Sequence, residues 1–429
     1  MKIIIIYPAN QLMPLETPRP DGSLGPLYLA GALREIGIEA DILDISVGTK
    51  DDSLKNTFYR SYLQDNGLVR IGMSHKRIRE VLEQSEYDLI CIHSNFTPQT
   101  QMAFKCAEIA KRALPHAKII TGGINARNLA IRFLKTGLFD LVCLTEGERV
   151  IKEIVQRFPN LHDIPGTIDR DGKETPAYQV ISNLDELPFP AWDKLPVEKY
   201  DELASPHGID VLQKKERYAP LMTSRGCPFR CTYCHISVEK RDHLGIGELR
   251  LKSITRVIQE LEILKSLGVT KIFIEDDSLL AKKARIKEIF TAIQKMNLTI
   301  ADVNGVNLVH FFQKTHLGLE PDQEYIQFLF DAGFKQIVFP VESGSQRILD
   351  KYATAKLHLS SMDVVRLTKI AANIGIVCPV NMMIGFPDET EAEMLESIEL
   401  AKKLIAAGAP YVTFFIPIPF PGSTLYTMA

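Results

Sequence analysis

The chain has one tryptophan, seven cysteines and a net charge of only −3 in 429 residues. It has no long basic tract, so nothing marks it as a partner for nucleic acid or another polyanion. No apolar run approaches the ~20 residues needed to span a membrane. The apolar start, Met1-Lys2-Ile3-Ile4-Ile5-Ile6-Tyr7-Pro8, is too short for a signal h-region and reads as a buried first strand ended by Pro8. No Gly-x-Gly-x-x-Gly follows that strand, which leaves a nicotinamide dinucleotide site without support. Seven cysteines with no export signal fit a reducing cytoplasm rather than a disulfide framework. The length predicts two or three domains, at roughly 100–200 residues each.

Three of the cysteines stand together in Cys227-Pro228-Phe229-Arg230-Cys231-Thr232-Tyr233-Cys234, after Ser224-Arg225-Gly226. The apolar run 219–222 leads in like a strand, which puts the cysteines on a loop leaving a strand end. Three thiolates can hold three irons of a [4Fe–4S] cluster and leave the fourth iron for an outside ligand. Other chemistries share this spacing. His235 can complete a zinc site. Cys231-Thr232-Tyr233-Cys234-His235 spells the c-type haem attachment pattern, which needs export. Cys231 and Cys234 alone make a thioredoxin-like pair, with Cys227 surplus. Cys91, Cys106, Cys143 and Cys378 lie in apolar patterns and read as small buried hydrophobes.

From residue 1 to about 160, strand and helix patterns alternate. Strands are expected at 3–7, 39–44, 88–93, 118–121 and 138–144, with helices at 24–37 (stopped by Gly37), 101–113 and 150–157. Residues 49–86 are polar and poorly patterned, and helices are expected there. Short alternating connections imply a parallel sheet covered on both faces, a Rossmann-like (flavodoxin-like) α/β domain over residues 1–165. Ligands of such sheets bind at the strand carboxyl ends. The polar and glycine-rich ends are Ser94-Asn95, Gly122-Gly123-Ile124-Asn125-Ala126 and Glu146-Gly147-Glu148. Paired glycines let a backbone approach a bulky ligand closely, although Gly122-Gly123 is equally a tight strand-to-helix turn.

Residues 166–218 are rich in Pro, Asp and Lys and are expected to form an extended linker, pinned by the aromatics of Leu187-Pro188-Phe189-Pro190-Ala191-Trp192-Asp193. A second domain follows at 219–429. Six strand-like runs, at 221–224, 271–275, 300–304, 336–341, 377–384 and 411–416, alternate with helices such as 254–267, stopped by Gly268. Six βα steps predict a partial (β/α)6 TIM-type barrel with its working surface at the strand carboxyl ends. Polar or glycine residues collect there: Glu275-Asp276-Asp277, Asn304-Gly305-Val306-Asn307, Glu342-Ser343-Gly344-Ser345, Gly385-Phe386-Pro387 and the stretch 417–422. Each acid alone is equally an ordinary solvated loop charge; four such ends in order after the cysteine spacing are not.

Residues 219–423 resemble the radical S-adenosylmethionine (SAM) superfamily, and the first domain resembles the cobalamin-binding domain that precedes many of its members. Residues 25–37 look like that domain's first helix, while Asn125 stands where the usual pattern has His. The resemblance implies that Cys227, Cys231 and Cys234 hold a [4Fe–4S] cluster whose open iron chelates SAM. It places Tyr233 and Gly385 near the adenine, Asp276 and Asp277 near the SAM amino group, and Glu342 and Ser343 near the ribose and sulfonium. Cobalamin would meet Ser94, Asn95, Gly122, Gly123, Asn125, Glu146 and Gly147. None of His75, His93, His116 and His162 sits in the Asp-x-His-x-x-Gly motif that supplies a lower cobalt ligand in many cobalamin enzymes.

The expected activity is that of a cytoplasmic cobalamin-dependent radical SAM enzyme, with C-methylation of an unactivated carbon ahead of oxidation, cyclisation or ring rearrangement. A non-catalytic binding module of the same fold is the reading from a different class. The partners implied are a small-molecule or natural-product substrate and an electron donor such as flavodoxin or ferredoxin. Residues 307–321 form an unusual insert carrying His310 and His316, either of which could face substrate, and no residue is singled out as catalytic. The chain stops at Ala429, soon after 417–422, and is expected to be a fragment or a minimal member. Substrate, stereochemistry and oligomeric state have no signature here.

Overall fold

The computed structural model describes residues 1–14, 16, 23–203, 216–242, 245–302, 304–354 and 356–429. It divides into two compact units, Met1–Ser182 with Glu186–Lys215, and Asn183–Asp185 with Glu216–Ala429.

In the first unit β1 (Ile3–Tyr7), β2 (Asp41–Asp44), β3 (Leu89–His93), β4 (Lys118–Gly122) and β5 (Leu141–Cys143) form a parallel sheet in the order β5-β4-β3-β1-β2. Strand β1 is buried along its whole length, as a central parallel strand with helices on both faces must be. Its alternate residues feed two cores. Ile3 and Ile5 pack with Ala30, Leu33, Ile151 and Ile154 from α1 (Leu24–Arg34) and α3 (Gly147–Arg157). Ile4 and Ile6 pack with Met102, Cys106 and Ile109 from α2 (Thr100–Ala113). The strand carboxyl ends of β3, β4 and β5 therefore stand side by side on one edge.

Two expectations are corrected here. The start of the expected linker belongs to the sheet: β6 (Thr167–Asp169) pairs antiparallel with β5, and β7 (Glu174–Thr175) with β6. Thr167, Ile168 and Asp169 are all buried, a packing that the surrounding Gly and Pro residues hide from a pattern search. Further on, Ala191 donates its N–H to Leu27, and residues 204–215 of that segment lie outside the described residues. Residues 49–86 are not only helical. Ser61–Leu63 and Val69–Ile71 form a hairpin with Asn10–Leu12, turned at Asp65-Asn66-Gly67 with Gly67 at φ +78°, a strong hairpin signal. Helix His75–Glu83 follows, capped by Ser74.

In the second unit β8 (Tyr218–Leu221), β9 (Lys271–Ile274), β10 (Thr299–Asp302) and β11 (Phe334–Gln336) run parallel in sequence order. The chain continues from β11 into β12 (Phe339–Glu342), which pairs with β13 (Val380–Met383), and that with β14 (Val412–Phe415). A bridge from Gln336 to Val377 joins the halves. Helices α4 (Ile254–Ser266), α5 (Lys283–Lys295), α6 (Gln323–Asp331), α7 (Gln346–Tyr352), α8 (Val364–Ile374) and α9 (Glu391–Ala406) fill the crossovers. Among the described residues β8 and β14 do not pair, so no closed barrel is detected. Strand β8 ends three residues earlier than expected, because Thr223 and Ser224 give their polar groups to Asp276 instead of the ladder. The 307–321 insert is a short 3-10 turn (Leu308–Phe311) and a hairpin of Phe312–Thr315 with Gly318–Pro321. His316 lies exposed at that hairpin's tip, and the Nε2 of His310 is buried without a hydrogen-bond partner.

Candidate cofactor sites

The cysteine loop leaves the carboxyl end of β8 and is held from three sides. Gly226 sits at φ +80°, and a Cβ there would lie 2.3 Å from the Glu248 carbonyl oxygen, so only glycine fits this turn. Its N–H donates to Asp277 at 3.1 Å, and Cys227 N–H donates to the Gly247 carbonyl at 3.2 Å. Thr232 N–H reaches the Tyr352 carbonyl at 2.9 Å, and the Thr232 carbonyl accepts from Leu425 N–H at 2.8 Å. The Cys231 thiol points to the Ala353 carbonyl at 3.6 Å. Burial raises the Cys227 and Cys234 thiols, Cys234 to about 12, and each feels the charge of Cys231. Three cysteines on a loop already fixed by its backbone, with Cys231 acting on both Cys227 and Cys234, suit a thiolate-bound iron cluster. A cationic metal centre reverses the penalty on the thiolates.

The acids at the strand ends divide by role. Asp276, 1% exposed, accepts the Thr223 N–H at 2.5 Å, the Thr223 hydroxyl at 2.6 Å and the Ser224 hydroxyl at 2.6 Å. Arg285 adds bonds to the Thr223 and Lys252 carbonyls, both at 2.9 Å. Asp276 is thus buried and committed to holding the cysteine loop, with both of its oxygens accepting bonds from it, rather than standing open to a ligand's ammonium as expected. Asp277 is exposed to solvent and stays in place as a candidate. Ser343, expected beside the ribose, is fully buried; its hydroxyl faces Ser397 on α9 at 3.2 Å and accepts Ser345 N–H at 3.1 Å. It shapes the turn and does not present itself to a ligand.

Glu342 ends β12 with a left-handed backbone, φ +69°, rare for a residue with a Cβ and a mark of local strain. Its carboxylate meets the Lys356 Nζ at 2.9 Å. Tyr233 lies beside both Glu342 and Cys231; burial and these two neighbours hold its phenol well above the usual range. Gly385 has φ +91°, and nothing stands within 4 Å of the place a Cβ would take, an opening that admits a flat base. Glu389 closes this turn by accepting the Gly385 and Phe386 N–H groups at 2.6 and 3.1 Å. Below it, Phe386 stacks on Tyr352 at 4.5 Å and joins Ile348 and Leu425 in a small core against Tyr233.

Sequence reasoning missed Lys356, Glu389 and Asp302. Asp302 ends β10 fully buried; burial pushes its carboxyl up to about 7 while the Gly305 and Val338 N–H groups bond it. Glu389 had a signal, an acid four residues after a turn glycine.

On the first unit's edge, Ser94, Asn95, Gly122, Gly123, Asn125, Glu146 and Gly147 do gather at the ends of β3, β4 and β5. Gly123 has φ +103°, and a Cβ there would strike the Ser94 carbonyl at 2.5 Å; at Gly122 it would meet only the Cys143 Cβ, at 3.2 Å. Asn125 is 3% exposed and donates to the Ser94 and Thr100 hydroxyls at 2.8 and 2.9 Å. Its carbonyl oxygen is buried with no partner in the protein. An acceptor left open beside a bare glycine backbone suits a bulky ligand rich in amide donors, as a corrin is. Ser94 is itself fully buried and serves the loop. Phe96, exposed at 56%, is an aromatic on this edge that the pattern search passed over.

Fold and sites together define a two-domain α/β protein, one domain with a ligand edge of glycines and amides, the other a partial barrel with a three-cysteine loop. The B12 binding domain family matches residues 22–155 and the radical SAM superfamily matches residues 221–401. The chain thus carries a B12 binding domain followed by a radical SAM domain, and these two domains imply cobalamin, a [4Fe–4S] cluster and SAM as cofactors. It is similar to cytidylyl-2-hydroxyethylphosphonate methyltransferase of Streptomyces wedmorensis, 26% identical over 99% of this chain and 80% of that one. It is also similar to an uncharacterized methyltransferase, PH0819, of Pyrococcus horikoshii, 28% identical over 89% of this chain and 79% of that one. Its fold matches that of the radical SAM methyltransferase TsrM from Kitasatospora setae, solved with cobalamin and [4Fe–4S] cluster bound, at a TM-score of 0.67 and 16% identity over 97% of this chain and 72% of that one. No helix among the described residues is long and apolar enough to cross a membrane.

Proposed function

We propose that the chain methylates an unactivated carbon of a small molecule or natural product. The observation that carries this reading is the fixed three-cysteine loop in one unit together with the Asn125–Gly122 edge in the other, in a chain similar over 99% and 89% of its length to two methyltransferases. When bound, the cluster and SAM supply a 5′-deoxyadenosyl radical for hydrogen abstraction, and cobalamin supplies the methyl group. The chain's own residues position and insulate. Cys227, Cys231 and Cys234 hold the cluster, and Asp276 holds their loop. Gly385 leaves room for adenine, with Tyr233 and Phe386 walling that side. Asp277 and Glu342 offer carboxylates to the ammonium and hydroxyl groups of SAM. Gly122 and Asn125 receive the corrin. The reading calls for a one-electron donor of the flavodoxin or ferredoxin type and for a reducing compartment, the cytoplasm.

The test is anaerobic reconstitution with iron, sulfide and cobalamin, then turnover with SAM and dithionite, with cytidylyl-2-hydroxyethylphosphonate as first substrate. A product heavier by one methylene unit, formed with deoxyadenosine, supports methylation. Deoxyadenosine with a product of altered hydrogen count and no added carbon replaces it with oxidation or cyclisation. Bound cluster without any SAM cleavage points to a binding module.

A further inference from the structure

Lys356 is unused by the reading above, yet its ammonium pairs with the carboxylate at the strained strand end. Its side chain is 12% exposed and that of Glu342 10%. The turn before it is bonded to the cysteine loop: Thr232 N–H and hydroxyl both reach the Tyr352 carbonyl, at 2.9 and 3.4 Å, and the Cys231 thiol reaches the Ala353 carbonyl. Against the desolvation of its burial, Lys356 stays charged because it pairs with Glu342, and Cys231 and Cys227 favour its charge further. Asp277 also acts on the Cys227 and Cys234 thiols, and Lys240 on that of Cys227.

We propose that Lys356 is a positioning residue that fixes Glu342 in its left-handed conformation and cancels its charge beside the cysteine triad. This rests on the triad holding the cluster. A cluster taking one electron from an external low-potential donor becomes more negative. An unneutralised carboxylate in the same poorly solvated pocket opposes that step. With Lys356 in place, Glu342 is available for hydrogen bonding to a ligand without that opposition.

The experiment titrates the reconstituted full chain with dithionite in the presence of mediators and reads the cluster's midpoint potential by electron paramagnetic resonance. Iron content and melting temperature are measured on the same samples. Lys356→Met is expected to bind a full complement of iron and to shift the potential to a lower value. Lys356→Arg is expected to restore it. In the double variant Lys356→Met/Glu342→Gln both charges are gone, and the potential is expected to return toward that of the wild type, a coupling that a purely structural pin does not produce. Lys356→Met with full iron and an unchanged potential overturns the proposal. So does a double variant no different from the single one. Failure of the wild-type chain to take up a cluster at all is a separate result, and it overturns the cysteine reading instead.

Discussion

Asp276 takes both the backbone N–H and the hydroxyl of Thr223, at 2.5 and 2.6 Å, and so ties the end of β9 to the start of the cysteine loop. Removing the carboxylate leaves buried donors without acceptors. Asp276→Ala is expected to cost about 3 kcal/mol of stability and to lower iron uptake, with Asp276→Asn intermediate. Urea unfolding and iron content per chain check this. Full iron and unchanged stability with weakened SAM binding would return Asp276 to the role of ligand.

Replacing Cys227, Cys231 or Cys234 by Ala is expected to abolish iron binding and SAM cleavage, because two thiolates do not hold the cluster. Replacing Cys91, Cys106 or Cys378 is expected to leave the iron count alone; all three are buried in apolar surroundings that push their thiols up. A single Ala variant of the triad with near-full iron and activity would falsify the assignment.

What was legible follows the range of the interactions. The cysteine spacing is local, and so are the alternating strands whose alternate residues feed the two cores; both were read with small errors at the ends. Which way a strand-end side chain turns is not local. Asp276 and Asp277 are neighbours with the same chemistry, and only the packing of β8 against β9 sends one to Thr223 and the other to Gly226. Lys356 lies fourteen residues from Glu342 in a stretch without periodicity, so no pattern could pair them. Short strands such as Thr167–Asp169 are defined by their partner β5 rather than by their own sequence.

The glycine pair is now separable. Gly123→Ala strains a left-handed residue and drives a methyl into the Ser94 carbonyl, so a loss of roughly 1–3 kcal/mol in stability is expected. Gly122→Leu has a normal backbone and one tight neighbour, and is expected to weaken cobalamin binding with a smaller change in melting temperature. Thermal melts and equilibrium binding of cobalamin distinguish them. Equal cobalamin affinity in wild type and Gly122→Leu sinks the placement of the corrin on this edge.

His93 is buried at the end of β3, and desolvation pushes its pKa from 6.5 down to about 4. In the unfolded chain it takes up a proton below its ordinary pKa, whereas the folded chain refuses it. The stability it contributes is therefore whole above about pH 6.5 and is lost as pH falls toward 4, up to ~3 kcal/mol. His310 is shifted the same way, to about 4. Urea unfolding at about pH 7.5 and about pH 5 is expected to show a smaller pH difference in His93→Gln than in the wild type. An identical difference in the two proteins removes His93 as a source.

The last prediction concerns the lower face of cobalt. The first unit's described histidines are His75, His93, His116 and His162, and none has the Asp-x-His-x-x-Gly setting. His162 Nδ1 is bound to Asp169 at 2.7 Å. His116 precedes β4, at the amino ends of the strands, and His75, itself exposed, opens helix His75–Glu83. Only His93 stands near the ligand edge, and it is walled in. Its ring stacks on Tyr7 at 5.3 Å, its Nε2 faces the Ser23 hydroxyl at 3.5 Å, and its Cε1 lies 3.0 Å from where a Cβ on Gly25 would be. A cobalamin held here is expected to have neither a histidine below the cobalt nor its own base, which the edge displaces. Electron paramagnetic resonance of the Co(II) form reads this directly. A base-off spectrum without nitrogen superhyperfine splitting, unchanged in His93→Ala, is the expected result. Clear splitting that disappears in His93→Ala or His116→Ala would show that a histidine swings onto the metal, and that the packing around Tyr7 and Ser23 opens to let it.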